Sequence, residues 1–492
     1  MKAFCAALAL LTVAPLIVHA EPAGTEVAPA VKAVQVQVPE DFRAVAFMAG
    51  LNYPTSVEFD GQGLVFVAEA GYAPGDQSAR PRIIVASAAG EMLEQITEGL
   101  EAPINDLLWH NQRLYISHKG RISVLDSGKV RDLVTGLPSL GDHQNNQMAM
   151  GPDGKLYFGQ GTATNSGIVG ADNHKMGWLQ KHPEVHDVPP TDIQIKTESY
   201  ASGLEGQEQA RTAAFQPFSK APPATDQSAT VTGNVKANGT ILRMNPDGTG
   251  LEVYASGLRN PYGLVWTPDK KLYATENGFD DRGSRPIAND KEDIYLIKQG
   301  AFYGWPDFAS GIPVTDARFK PEGKEQPQFL LVDHPAVEKP QWTFPKHSAI
   351  TKLDVAPEGS FGFQGNLFIA FFGHMAPLTG TVDGAQAAPQ VVRLVPTTGE
   401  QKVFFSYKAP GETQASDNSH RGRLVDVRFT PAGDALFVAD FGVMTVDEKG
   451  PHAVPQSGVI WRVVPKVTGT PRPVKGRTLP DDEERSRLPN QQ

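Results

Sequence analysis

Cysteine is almost missing from this chain. Of 492 residues only Cys5 is one, and it lies in an apolar N-terminal stretch, so the remainder can build neither a disulfide nor a thiolate metal site. A chain this long can bury enough apolar surface without such staples. Long apolar runs are also scarce. Residues 4–18 form the only one, shorter than the roughly 20 residues a membrane span needs. With Lys2 ahead of it and Val18-His19-Ala20 behind, residues 1–20 read as a secretory signal cut after Ala20, which predicts a periplasmic or secreted protein with no membrane span. Excess positive charge is lacking too: the net charge is -10, which disfavours nucleic acid as a partner. There is no CxxCH motif, so the chain offers no site for covalently attached haem.

Turn formers are abundant: 48 glycines and 40 prolines, with few long helical patterns. That composition predicts many short strands joined by turns. The strands repeat. A turn related to Pro-Asp-Gly is followed by a strand with a central aromatic in residues 59–69, 109–118, 151–160, 267–276, 356–371 and 430–440. The aligned aromatics are Phe66, Tyr115, Tyr157, Tyr273, Phe368 and Phe437. A second β signal follows each, in residues 82–87, 121–126, 241–248, 293–300, 391–399 and 459–465. One such unit cannot cover its apolar face, whereas units stacked around an axis can. The prediction is an all-β, six-bladed β-propeller over residues 41–465 with inter-blade insertions at about 162–238 and 316–341, a linker at 21–40 and a C-terminal tail at 466–492.

Several loops carry more polar chemistry than a turn requires. In GDHQNNQ, His143 can accept a proton near neutral pH, and the adjacent Asp142 could orient its ring; a loop histidine bonded to backbone is the plainer alternative. Arg259-Asn260-Pro261 precedes a repeat strand, and a guanidinium grips carboxylates unless it merely ties blades together. Acids crowd around Gly278 in residues 275–297, as a Ca²⁺ site or as a solvated acidic loop. Arg421 and Arg423 alternate along an extended segment and would face an anion together, or pair with acids such as Asp426. Lys346, His347 and Ser348 form a further polar loop without an evident ligand.

Taken together, GDHQNNQMAMGPDGKLYFGQGTATNSG, GTILRMNPDGTG, SGLRNPYGL, ENGFDDRGSRP, YGWPD and HSA resemble the glucose/sorbosone dehydrogenase family, in order from about Leu51 to Val464. The resemblance implies pyrroloquinoline quinone (PQQ) as redox cofactor with Ca²⁺ beneath it, oxidation of a sugar or related aldehyde or alcohol, and an external cytochrome or quinone carrier as electron acceptor. It implies His143 as general base with Asp142 beside it, and Arg259 and Asn260 over the quinone. Gly278 and Phe279 would offer the calcium carbonyls, Phe279 standing where the family pattern has proline. Glu292, Arg421 and Arg423 would contact the cofactor, His374 would lie nearest a family lysine contact, and Asn105 would supply an amide at the substrate mouth. Two rival readings remain: a Ca²⁺-dependent propeller lactonase or esterase, and a non-catalytic ligand-binding propeller.

Overall fold

The repeated aromatic occupies one structural position. The computed structural model describes residues 35–74, 76, 78–206, 209–218, 228–380, 388–408, 422–447 and 450–466. In it Phe66, Tyr115, Tyr157, Tyr273, Phe368 and Phe437 each sit in the second strand of an antiparallel blade, directly opposite Val85, Val124, Arg243, Leu296, Arg393 and Arg462 of the third. The two β signals of each repeat are therefore the middle strands of one blade. The protein is a six-bladed β-propeller.

The innermost strands are Pro54–Phe59, Ile104–His110, Asn145–Met150, Pro261–Trp266, Ile350–Val355 and Leu424–Phe429. They contact one another in a closed ring around the axis. Four of the six repeat aromatics pack against the end of the next blade's inner strand. Phe66 meets Trp109 at 5.4 Å between ring centroids, Tyr157 meets Trp266 at 5.3 Å, Phe368 meets Phe429 at 5.1 Å and Phe437 meets Phe59 at 4.9 Å. Such pairs add about 0.5–1.5 kcal/mol each beyond the area they bury. The last of them joins the sixth blade to the first. That closure is completed by Phe42–Leu51, which pairs with Gly458–Pro465 as the outermost strand of the sixth blade. A chain that closes a ring this way leaves no open seam between first and last blades.

Two expectations need correction. The insertions do not lie between blades. Residues 161–239 connect the second and third strands of the third blade, Leu156–Gln160 and Thr240–Met244, and carry the short helix Ala171–Lys175 and two small two-stranded sheets. Residues 298–341 connect the third and fourth strands of the fourth blade, Glu292–Ile297 and Trp342–Phe344. Spacing between repeats shows where chain has been added but not where a blade begins, because that phase is set by the ring closure. The segment read as a linker also contains a strand: Gln35–Gln37 pairs with Ser406, Tyr407 and Lys408 on the edge of the fifth blade. The signal at 1–20 and the tail from 467 lie outside the described residues.

Candidate functional site

The inner strands build the site because each is bulged near its start. The register slips between Pro54 and Ser56, Ile104 and Asp106, Asn145 and Met148, Pro261 and Leu264, Ile350 and Leu353, and Leu424 and Asp426. A bulge re-aims side chains. The second residue of every inner strand, namely Thr55, Asn105, Asn146, Tyr262, Thr351 and Val425, faces one cavity of about 330 Å³ at the mouth of the channel.

The third residues form its floor. Lys352 is fully buried, its Nζ 2.8 Å from Asp106 Oδ1, 2.8 Å from the Thr55 carbonyl and 3.5 Å from Asp426 Oδ2. Ser56 donates to Asp106 at 3.2 Å. The Gln147 carbonyl accepts from Leu264 N while its amide donates to the Leu353 carbonyl. Gly263 completes the layer because a side chain there would strike the Thr351 carbonyl. The channel is thus plugged by a buried polar layer, with the cavity open above it.

The loops at that open end carry the sequence candidates. His143 lines the cavity with its Nδ1 3.0 Å from the Thr162 carbonyl and 3.1 Å from the Thr162 hydroxyl. A carbonyl can only accept, so Nδ1 carries the proton and Nε2 keeps its lone pair. Burial, and then the Arg259 guanidinium, push the ring's pKa down to about 3. Gly161 is glycine for a packing reason: a Cβ there would lie 2.4 Å from His143 Cβ and 2.7 Å from Asn260 Oδ1.

Asp142 does not orient this ring. Its carboxylate accepts from Trp178 Nε1 at 2.6 Å, Asn173 Nδ2 at 3.1 Å and Arg282 Nη2 at 2.8 Å. Burial works to raise its pKa, but Arg282, His143 and Trp178 outweigh it and hold the group ionised. Arg282 also bonds Asp172 at 2.6 Å and Asp280 at 3.0 Å, a node joining the His143 loop, the third-blade insertion and the acidic loop.

Arg259 is buried and gives Nη2 to Asp280 at 2.8 Å. Its neighbour Asn260 belongs to a ladder of amides along the cavity wall. Asn146 donates to Asn260 at 2.9 Å, Asn260 to Asn277 at 2.8 Å, and Asn277 to Glu292 at 2.8 Å. Burial raises Glu292 to about 7 against the opposing effect of Asn277. Gly278 packs so tightly on the Lys291 carbonyl that a Cβ would lie 2.3 Å from it, and Phe279 N donates to Asp290 at 2.8 Å. Asn105 lines the cavity and donates to the Asn145 carbonyl at 2.8 Å.

Arg423 is 2 % exposed, and its guanidinium meets only main-chain oxygens: Nη1 with His374 at 2.8 Å and Phe372 at 3.3 Å, Nη2 with Met444 at 3.3 Å. Its Nε has no partner, and among the described residues no carboxylate comes within ion-pair distance. Burial lowers its pKa to about 10. His374 next to it also has a buried, unpartnered Nδ1. Arg421 lies outside the described residues.

Sequence reasoning passed over Thr162, Asn146, Asn277 and Arg282, and left His347 without a role although its Nδ1 lies 3.6 Å from Asp280 Oδ1. Asn146, Asn277 and Arg282 each lie inside a flagged loop, so a rule weighing whole loops could have found them. The signal for Thr162 was absent, since it acts from 19 residues away.

Comparisons with known proteins agree with the motifs. The model of the Glucose / Sorbosone dehydrogenase family matches residues 219–433, which bears out the resemblance read from the sequence. Quinoprotein glucose dehydrogenase B of Acinetobacter calcoaceticus is 28% identical over 183 residues, 36% of this chain and 29% of that relative, so the match spans under a third of its length. Among solved structures, the holo PQQ domain of pyranose dehydrogenase from Coprinopsis cinerea superposes with a TM-score of 0.52 at 16% identity, covering 88% of this chain and 97% of that one. A Trichoderma reesei carbohydrate-active enzyme of family AA12 gives 0.51 at 14% identity, covering 88% and 98%. At such identities the superpositions speak for the propeller fold alone.

Proposed function

With the glucose/sorbosone dehydrogenase match over residues 219–433 as premise, we propose that this chain is a PQQ-dependent oxidoreductase acting on a sugar or a related aldehyde or alcohol. The observation that carries the reading is the mouth itself. A neutral histidine presents Nε2 to a cavity, and a buried arginine with no carboxylate partner among the described residues stands behind the aromatic wall formed by Phe372.

The residues present fit the cofactor. PQQ is a planar polycarboxylate, and Arg423, whose guanidinium meets only main-chain oxygens among the described residues and whose Nε has no partner there, has the charge and spare donor such a group needs. Phe372, Phe441 and Tyr262 give the cavity flat apolar walls. The Gly278 and Phe279 carbonyls offer the oxygen donors that suit Ca²⁺. Arg259, Arg423 and Glu292 would hold the group. When bound, it would supply the two-electron acceptor for the hydride leaving the substrate carbon. His143 Nε2 takes the proton from the substrate hydroxyl, and Thr162 fixes the ring for that task. The amides of Asn105, Asn146 and Asn260 supply polar contacts for a polyhydroxylated substrate at the cavity wall. Electrons would pass on to an external carrier. We assign the protein to the periplasm or exterior on residues 1–20, and among the described residues no helix is long and apolar enough to cross a membrane.

A channel-centred calcium, as a propeller lactonase would use, is disfavoured by the floor, where the Lys352 ammonium already occupies the space between Asp106 and Asp426. A dye-reduction assay on the apo-protein with aldoses and aldehydes tests the class. Activity appearing only with both PQQ and Ca²⁺ supports the reading; silence together with no PQQ binding in an absorbance titration rejects it.

Two further outcomes are expected. Because the His143 ring is held neutral down to about 3, kcat/KM should show no fall attributable to it between about pH 5 and 7. A limb near pH 6.5 that disappears on replacing His143 would contradict this. Arg423→Met should weaken PQQ binding by about 10–100-fold, the value of one charge-assisted contact of about 1.5–3 kcal/mol. Unchanged absorbance titration curves would remove Arg423 from the cofactor site.

A further inference from the structure

Beside the mouth lies a second cleft of about 340 Å³ that shares Tyr72, Asp142, His143 and Gln144 with the main cavity. Its far walls come from the turn after the second strand of the second blade, carrying Lys119, and from the third-blade insertion, carrying Lys181 and His182. The acids in this cleft are already paired with guanidinium groups. Asp142 is bound by Arg282, and Asp280 is bound by Arg259 and Arg282. Among the described residues no carboxylate lies within ion-pair distance of Lys119 or Lys181, and the nearby Glu101 turns to Arg121 at 3.4 Å. The two ammonium groups feel each other, since the Lys119 pKa is lowered by burial first and by Lys181 second. In a chain of net charge -10, two unpaired like charges converging on one cleft form a local cationic field. Tyr72, 52 % exposed, stands where cleft and mouth meet and offers a ring face to a sugar.

Resting on the dehydrogenase reading, we propose that the side cleft is a specificity subsite for an anionic sugar. The substrate's carboxylate or phosphate would sit between Lys119 and Lys181 while its oxidisable carbon reaches His143. The lysine-bearing walls of the cleft come from the second and third blades, with Tyr72 from the first and Asp280 and Arg282 from the fourth, whereas Arg423 and His374 come from the loops of the sixth and fifth. The lysines are thus assigned to substrate, not to PQQ.

The test uses the full chain loaded with PQQ and Ca²⁺ at low ionic strength. It compares kcat/KM for glucuronate and for glucose 6-phosphate with that for glucose, in the native protein and in K119Q/K181Q. Native protein should favour at least one anionic sugar about tenfold or more, and the preference should shrink as salt is raised. The double variant should lower the anionic-to-neutral ratio about tenfold, mainly through KM. Whichever anion shows the larger drop identifies the group recognised. Calorimetric titration of the apo-protein with the same two anions gives a readout independent of turnover. Anion binding that the variant loses, in a protein that oxidises nothing, would retain the subsite and reject the dehydrogenase. Glucose oxidation with an anionic-to-neutral ratio that the variant does not change would overturn the subsite alone. A loss of PQQ affinity in the variant would reassign the lysines to the cofactor and also overturn it.

Discussion

Replacing His143 with alanine should cut turnover by about 10²–10⁴-fold while leaving PQQ binding roughly intact. The expectation follows from the ring's surroundings. Its Nδ1 proton is committed to Thr162, so the ring contributes to the mouth only through Nε2. Asp142 is spoken for by Arg282, Trp178 and Asn173, and none of the second-residue side chains at the mouth is a titratable base that could substitute near neutral pH. Steady-state dye reduction combined with a PQQ absorbance titration separates the two effects. Turnover that survives the substitution would remove His143 from the chemistry. A parallel loss of PQQ would show that the histidine shapes the cofactor site. The orientation argument has its own check. Thr162→Val deletes the hydroxyl contact but keeps the main-chain acceptor, so it should cost far less than H143A. An equal loss would mean that the hydroxyl, not the carbonyl, holds the ring.

The second large effect concerns stability. Lys352→Met should destabilise the fold by about 3–5 kcal/mol, because it removes the nearest cation from two buried carboxylates and leaves only Arg428, 3.9 Å from Asp106. Asp106 and Asp426 each also accept from a main-chain amide, Met148 N at 2.8 Å and Val57 N at 3.0 Å, so neither can rotate away without losing a further bond. Guanidinium unfolding would register the change as a fall in midpoint at constant slope. The triple variant K352M/D106N/D426N should recover most of the loss. It removes the charges together and keeps oxygens for both amides, and replacing a whole buried ionic group costs far less than removing one member. A single variant as stable as the native protein would show that the floor does not secure the ring.

The floor and the mouth illustrate where sequence reading ended. Thr55-Ser56, Asn105-Asp106, Asn146-Gln147, Tyr262-Gly263, Thr351-Lys352 and Val425-Asp426 are equivalent pairs, one per inner strand, yet no residue type is common to all six. What they share is a bulge and a place in a ring, and neither leaves a mark on local sequence. The middle strands differ in this respect. Their buried aromatic must fill the same gap between blades each time, so packing imposed a repeat that could be read directly.

By itself the sequence determined the all-β class, six repeats, two strands of each blade, and the loops bearing His143, Arg259, Gly278 and Arg423. These follow from local physics: alternating burial, turn chemistry, and clusters of polar side chains that a simple turn does not need. Tertiary structure alone decided where each blade begins, that the insertions interrupt blades instead of joining them, and that Asp142 serves Arg282 while Thr162 serves His143. Those outcomes depend on ring closure. It brings residue 42 against residue 465, and it sets Lys352 between acids 246 residues before it and 74 after it by numbering. Contacts made by closing a circle are fixed by the angle each blade occupies, and a linear pattern holds no record of that angle.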